Sequence, residues 1–212
     1  MKSVEVKICG LTNLTDALTA SENGADYLGF VLYPGSPRHI APAALERLVG
    51  KLPPKCRTVG VFVNEQPGRV VDIARSCGLH AVQIHGDEAA QEFAGLPWTL
   101  WRAVRLAGGA WLPDPGQWPA ARVVVDAAAP GYGGSGETAD WDRAAELARQ
   151  RPVLLAGGLT PDNVAEAVRR VQPVGVDVAS GVEARPGVKD PSLVKAFIRN
   201  AKQAVEQERR ET

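Results

Sequence analysis

The sequence predicts a single (β/α)8 barrel spanning residues 1–212, and three observations carry that prediction. Eight short apolar, β-branched runs recur along the chain, amphipathic stretches with helix start signals lie between most of them, and several runs alternate apolar with polar residues in period two. Strand and helix alternating implies a parallel sheet, and eight repeats suit a closed barrel better than an open doubly wound sheet, which needs fewer strands.

In chain order, VEVKIC from residue 4 is the first strand, and Thr12-Asn13 starts the helix LTDALTASE. DYLGFVL from 26, RTVGVFV from 57, HAVQIH from 80 and WTLWRAV from 98 are the next four strands. The fifth unit then departs from the pattern. LAGGAWLPDPGQWPA is rich in Gly, Pro and Trp, so its helix must be short or irregular. ARVVVD from 121 and PVLLAGG from 152 are strands six and seven. Thr160-Pro161-Asp162 starts the helix NVAEAVRRV, VGVDVAS from 174 is strand eight, and Asp190-Pro191-Ser192 starts LVKAFIRNAKQAV.

Barrel strands turn one face to the helices and the other to the barrel axis. Val4, Val6 and Ile8 suit the helix side, which points Glu5, Lys7 and Cys9 inward. By the same parity Val82 and Ile84 face out with Gln83 and His85 in, Val123 and Val125 face out with Val124 and Asp126 in, and Val176 and Val178 face out with Asp177 and Ala179 in. A polar interior near the strand ends is what a catalytic mouth needs.

Lys plus Arg equals Asp plus Glu at 24 each, so no net field draws the chain to nucleic acid or an anionic membrane. No apolar run approaches the roughly 18 residues of a membrane span, and Met1-Lys2-Ser3 is not a signal core, so a cytoplasmic protein is expected. Cys9, Cys56 and Cys77 lack CxxC spacing and a His pattern, so neither disulfides nor a metal is expected. Monomer and homodimer stay open, because no apolar stripe stands apart from the helix-packing faces.

Barrel enzymes often hold phosphate between the loops after strands seven and eight. Here those loops carry Gly157-Gly158 and Ser180-Gly181, which point to a small phosphorylated ligand. Cys9 and Asp126 close strands one and six. An aspartate after three valines must be paired, capping or catalytic, whereas a lone cysteine is ordinarily core. Arg38, after strand two, is the nearest cation for a carboxylate at the mouth. His85 faces inward as a ligand contact or a satisfied core residue, while His39, His80, Cys56 and Cys77 read as structural or surface residues. Gly131, Gly133 and Gly136 match a dinucleotide fingerprint in spacing only, because five residues separate Asp126 from the first of them and the following strand ends in glycines. They suit a lid better.

KICGLTN, GFVLYPGSPR, VGVFVN, VQIHG, PGYGGSGETADW, LAGGLTPDNV and DVASGVEARPGVKD, in this order, resemble the phosphoribosylanthranilate isomerase family of tryptophan biosynthesis, with motifs from residue 7 to residue 190. The resemblance implies a (β/α)8 barrel that catalyses an Amadori rearrangement without metal or organic cofactor. It carries a general base onto Cys9, a general acid onto Asp126, a carboxylate contact onto Arg38, and phosphate contacts onto Gly157, Gly158, Ser180 and Gly181. Cys9 argues against the histidine-pathway relatives, which use two aspartates. One departure is visible: Ala127, Ala128 and Ala129 follow Asp126 where the family tends to carry polar residues. Lys7, two residues from Cys9, could favour a thiolate or pair with Glu5 or Asp177.

Overall fold

The computed structural model describes residues 4–126 and 139–211. In chain order the elements are β1 (Glu5–Ile8), α1 (Leu14–Glu22), β2 (Tyr27–Val31), α2 (Pro42–Val49), β3 (Arg57–Phe62), α3 (Pro67–Ser76), β4 (Ala81–Ile84), β5 (Thr99–Ala107), β6 (Ala110–Leu112), β7 (Arg122–Asp126), α4 (Trp141–Ala148), β8 (Val153–Leu155), α5 (Val164–Val171), β9 (Gly175–Val178), β10 (Glu183–Arg185), β11 (Val188–Lys189) and α6 (Pro191–Glu211). Strands β1 to β5 and β7 to β9 pair in parallel, with β1 against both β2 and β9 and β4 against β5, so the eight close into a (β/α)8 barrel.

Two of the three anticipated helix starts are capped by a side chain, whereas α5 follows Asn163, which makes no side-chain cap. Asn13 Oδ1 accepts from Asp16 N at 2.9 Å to begin α1, and Asp190 Oδ1 accepts from Ser192 N at 2.8 Å and Leu193 N at 3.1 Å to begin α6. Helix α5 buries Val164, Ala167, Val168 and Val171, one face at helical spacing.

Two units lack an α-helix between their strands. Between β4 and β5 the chain forms only a 3-10 turn at Ala90–Phe93, followed by a turn at Ala94-Gly95. After β5 the glycines of the irregular fifth unit form a turn: Gly108 and Gly109, both at positive φ, join β5 to an antiparallel β6, and a second 3-10 turn follows at Pro115–Gln117.

Strand parity divides the core in two. Val4, Val6, Ile8, Val82, Ile84, Val123, Val125, Val176 and Val178 pack in the larger layer with the helices. Tyr27, Val59, Ala81, Trp101, Ala103, Val124, Leu154 and Ala156 form a separate cluster. Its residues come from the inward-facing parity, so this cluster fills the barrel. Trp101 meets Tyr27 edge-on at 4.8 Å. The strands' N-terminal end is closed by charge: Glu5 pairs with Arg122 at 2.5 Å and with Arg57 at 3.5 Å. The polar residues at the C-terminal end of the strands form the site.

Candidate active site

A cavity at the C-terminal ends of the strands is lined by Cys9, Arg38, Asp126, Gly157, Gly158 and Ser180, which joins six of the seven residues singled out from sequence. Gly181 is the exception. A Cβ there would collide with the Leu159 carbonyl oxygen, so its place is to let the loop after β9 meet the loop after β8 backbone to backbone. Gly181→Ala is therefore expected to push these loops apart, cost about 1–3 kcal/mol, and weaken binding of inorganic phosphate. Thermal unfolding and phosphate titration check both effects.

Gly157 and Gly158 are consecutive residues at φ +76° and +64°, a turn that favours glycine. Among the described residues their amide groups find no acceptor, and Asn163 holds the loop by donating to Gly158 O at 2.9 Å. Successive free N–H groups beside a cavity make an anion cradle that needs no net positive charge.

Beneath Cys9 lies a buried ion pair, Lys7 Nζ to Asp177 Oδ2 at 2.7 Å. Room for it comes from Gly29, where a Cβ would come within 2.8 Å of Cys9 Sγ and 2.9 Å of Lys7 Cε. Burial works against the Lys7 charge, but the Asp177 carboxylate and the Cys9 sulfur outweigh it and hold the ammonium above its ordinary range. Of the sequence alternatives for Lys7, the structure shows the pairing, with Asp177 rather than Glu5 as the carboxylate. Burial also pushes the Cys9 thiol up, against the pull of Lys7 and Lys189. Lys7→Met is expected to cost about 3–5 kcal/mol, because it strands a buried carboxylate. Urea denaturation checks this, with much of the loss regained in Lys7→Met/Asp177→Leu.

Asp126 ends β7 with its side chain 16 % exposed, and His85 Nε2 lies 3.4 Å from its Oδ2. Gln83 Nε2 sits 3.1 Å from His85 Nδ1. With Gln83 as donor there, the ring proton falls on Nε2, facing the carboxylate. His85 is thus a cavity residue and a partner of Asp126. Two further acceptors on cavity-lining residues, Gln83 Oε1 and Asp177 Oδ1, are buried without a partner among the described residues. Arg38 is not a loose surface cation. It forks onto Glu183, whose carboxylate also takes Lys189. Glu183 and Lys189 were missed from sequence as site residues, although both lie inside the DVASGVEARPGVKD stretch. Cys56 and Cys77 lie before β3 and after α3, away from the cavity. Ala127 to Ala129 and the glycines 131–136, read above as an apolar flank and a lid, lie outside the described residues. Within the described residues, no cluster of His, Cys, Asp or Glu could hold a metal ion, and no helix is long and apolar enough to cross a membrane.

A closed parallel barrel whose strand ends converge a thiol, a carboxylate and a glycine turn on one cavity defines a (β/α)8-barrel enzyme. Residues 6–200 match the family model of N-(5'-phosphoribosyl)anthranilate isomerase. The isomerase of Trichlorobacter lovleyi is 47% identical over 204 residues, 95% of this chain and all of that protein, and the one from Myxococcus xanthus is 47% identical over 209. The crystal structure of phosphoribosyl anthranilate isomerase from Thermotoga maritima superposes with a TM-score of 0.84 at 43% identity, over 94% of this chain and 99% of the other. A phosphoribosyl anthranilate isomerase in complex with reduced 1-(o-carboxyphenylamino)-1-deoxyribulose 5-phosphate aligns with a TM-score of 0.80 at 39% identity, over the same shares. The chain belongs to the N-(5'-phosphoribosyl)anthranilate isomerase family.

Proposed function

We propose that residues 1–212 act as one barrel domain that isomerises N-(5'-phosphoribosyl)anthranilate to 1-(2-carboxyphenylamino)-1-deoxyribulose 5-phosphate in tryptophan biosynthesis, with Asp126 as general acid and Cys9 as general base. The observation that supports this most is the meeting in one cavity of Cys9, Asp126 and the Gly157-Gly158 turn, whose amides find no acceptor among the described residues.

In this reading the 5-phosphate rests on the Gly157 and Gly158 amides and Ser180, and the anthranilate carboxylate faces Arg38. The sugar hydroxyls supply the donors that Gln83 Oε1 and Asp177 Oδ1 lack. Asp126 gives its proton to the ring oxygen as the C1–O bond breaks, and the nitrogen lone pair forms the C1=N iminium. The Cys9 thiolate takes the C2 proton, the C–H electrons form a C1=C2 bond, and the nitrogen regains its lone pair. The resulting enolamine loses its C2 hydroxyl proton and gains a proton at C1, which leaves the ketone. Atoms and electrons balance within the substrate, so no redox partner enters.

The test is conversion of N-(5'-phosphoribosyl)anthranilate made in situ, with the product followed by chromatography. Product formation by the parent is the expected result. A parent that binds inorganic phosphate yet leaves this substrate unchanged overturns the reading.

A further inference from the structure

Glu183 opens the small β10–β11 hairpin, and its side chain is 5 % exposed. It nevertheless accepts from four donors: Arg38 Nε at 2.9 Å, Arg38 Nη2 at 2.7 Å, Lys189 Nζ at 2.9 Å and Gly187 N at 3.2 Å. Burial acts against its charge, but the hydrogen bonds from Arg38 and Lys189 outweigh burial and hold the carboxyl below its usual range. The Arg38 stem is fixed from the other side, because it lies against Gly10, where a Cβ would come within 2.6 Å of Arg38 Cδ.

A guanidinium carries five N–H donors in one rigid plane. Glu183 takes the side-on pair, Nε and one Nη2 hydrogen. The end-on pair, Nη1 with the second Nη2 hydrogen, is thereby held in one orientation, and Nη1 makes no hydrogen bond among the described residues. The charges agree with that geometry. Within the Arg38–Glu183–Lys189 triad two positive charges meet one negative charge, so the triad itself carries one net positive charge. One incoming carboxylate balances it.

We propose that Glu183 is a positioning residue that locks the Arg38 guanidinium so that its end-on fork receives the carboxylate of the substrate's aryl amine, and so sets the preference for a carboxylated over an uncarboxylated aryl group. This deepens the isomerase reading and rests on it. If Glu183 only neutralised cations to hold the hairpin together, its loss would weaken all ligands alike or none.

Calorimetric titration separates these cases, with reduced 1-(o-carboxyphenylamino)-1-deoxyribulose 5-phosphate and the same compound lacking the carboxyl as probes. For Glu183→Gln, affinity for the carboxylated probe is expected to fall about tenfold, the loss of one charge-assisted hydrogen bond, while the uncarboxylated probe stays within about twofold. In turnover assays the KM for N-(5'-phosphoribosyl)anthranilate rises and kcat holds. Arg38→Lys, which keeps the charge and loses the fork, is expected to lose the same discrimination, and it serves if Glu183→Gln fails to fold. Equal weakening of both probes, no weakening of either, or retained discrimination in Arg38→Lys overturns the proposal while the isomerase reading stands. A parent that binds neither probe overturns that reading and this proposal with it.

Discussion

Asp126→Asn is expected to reduce kcat by about 10²- to 10⁴-fold and leave the barrel folded, the range that one general acid contributes. The amide matches the carboxyl in shape and can still accept from His85 Nε2, but it has no acidic proton to release to the ring oxygen. Stability should hold, because Asp126 is the last residue of β7 while Val123, Val124 and Val125 supply the buried part of that strand. Binding should hold as well, since the residues proposed to contact the phosphate and the carboxylate lie on other loops. Turnover assays beside calorimetry with reduced 1-(o-carboxyphenylamino)-1-deoxyribulose 5-phosphate check both halves of the expectation. A variant that keeps more than about a tenth of the parent's kcat removes Asp126 from the acid's role.

The barrel was legible because its strands repeat a strong period-two signal whose two faces have different destinations. Val4, Val6 and Ile8 pack in the layer under the helices while Lys7 is fully buried on the axis, and the alternation in VEVKIC says as much. Units four and five were less legible, because helix start signals report only where a helix could begin. The 3-10 turn at Ala90–Phe93 and the β5–β6 hairpin follow from glycines and prolines that shorten the available run, and their tertiary pairing has no sequence periodicity.

In the site, Cys9 and Asp126 stood out because each ends an apolar strand with a reactive side chain facing the axis. Glu183 did not. It lies in a short turn-rich segment beyond β9, and its meaning comes from Arg38, 145 positions away in sequence. Gly181 shows the converse: a glycine on the expected loop serves the contact between loops through Leu159 rather than the cavity wall. Lys7 could be placed inside the barrel by parity, but its choice between Glu5 and Asp177 was settled by position along the axis, since Glu5 lies at the opposite end with Arg57 and Arg122.

Cys9→Ala is expected to lose turnover by about the same 10²- to 10⁴-fold, and the parent's pH profile gives that role a sharper test. In the proposed mechanism the reacting form carries one proton on the acid–base pair, on the carboxyl and not on the thiol. A carboxyl ordinarily releases its proton before a thiol does, so that arrangement is a constant minor share of the singly protonated enzyme. Raising the pH across neutrality therefore does not increase kcat/KM, even though it makes thiolate. Once pH passes the Cys9 pKa the pair loses its last proton and kcat/KM falls. Burial holds that pKa above the ordinary thiol value, so the fall should begin only beyond the usual thiol pKa of about 8.5. Alkylation of the ligand-free protein by iodoacetamide should move the opposite way, slow near pH 7 and rising about tenfold per pH unit over the range where kcat/KM is flat, because it needs the thiolate alone. Peptide mapping that finds Cys9 modified, with loss of activity in step, ties both curves to one sulfur. Parallel curves, with activity rising wherever alkylation rises, would mean that the thiol's ionisation alone limits the reaction and that Asp126 is not the partner whose proton it shares.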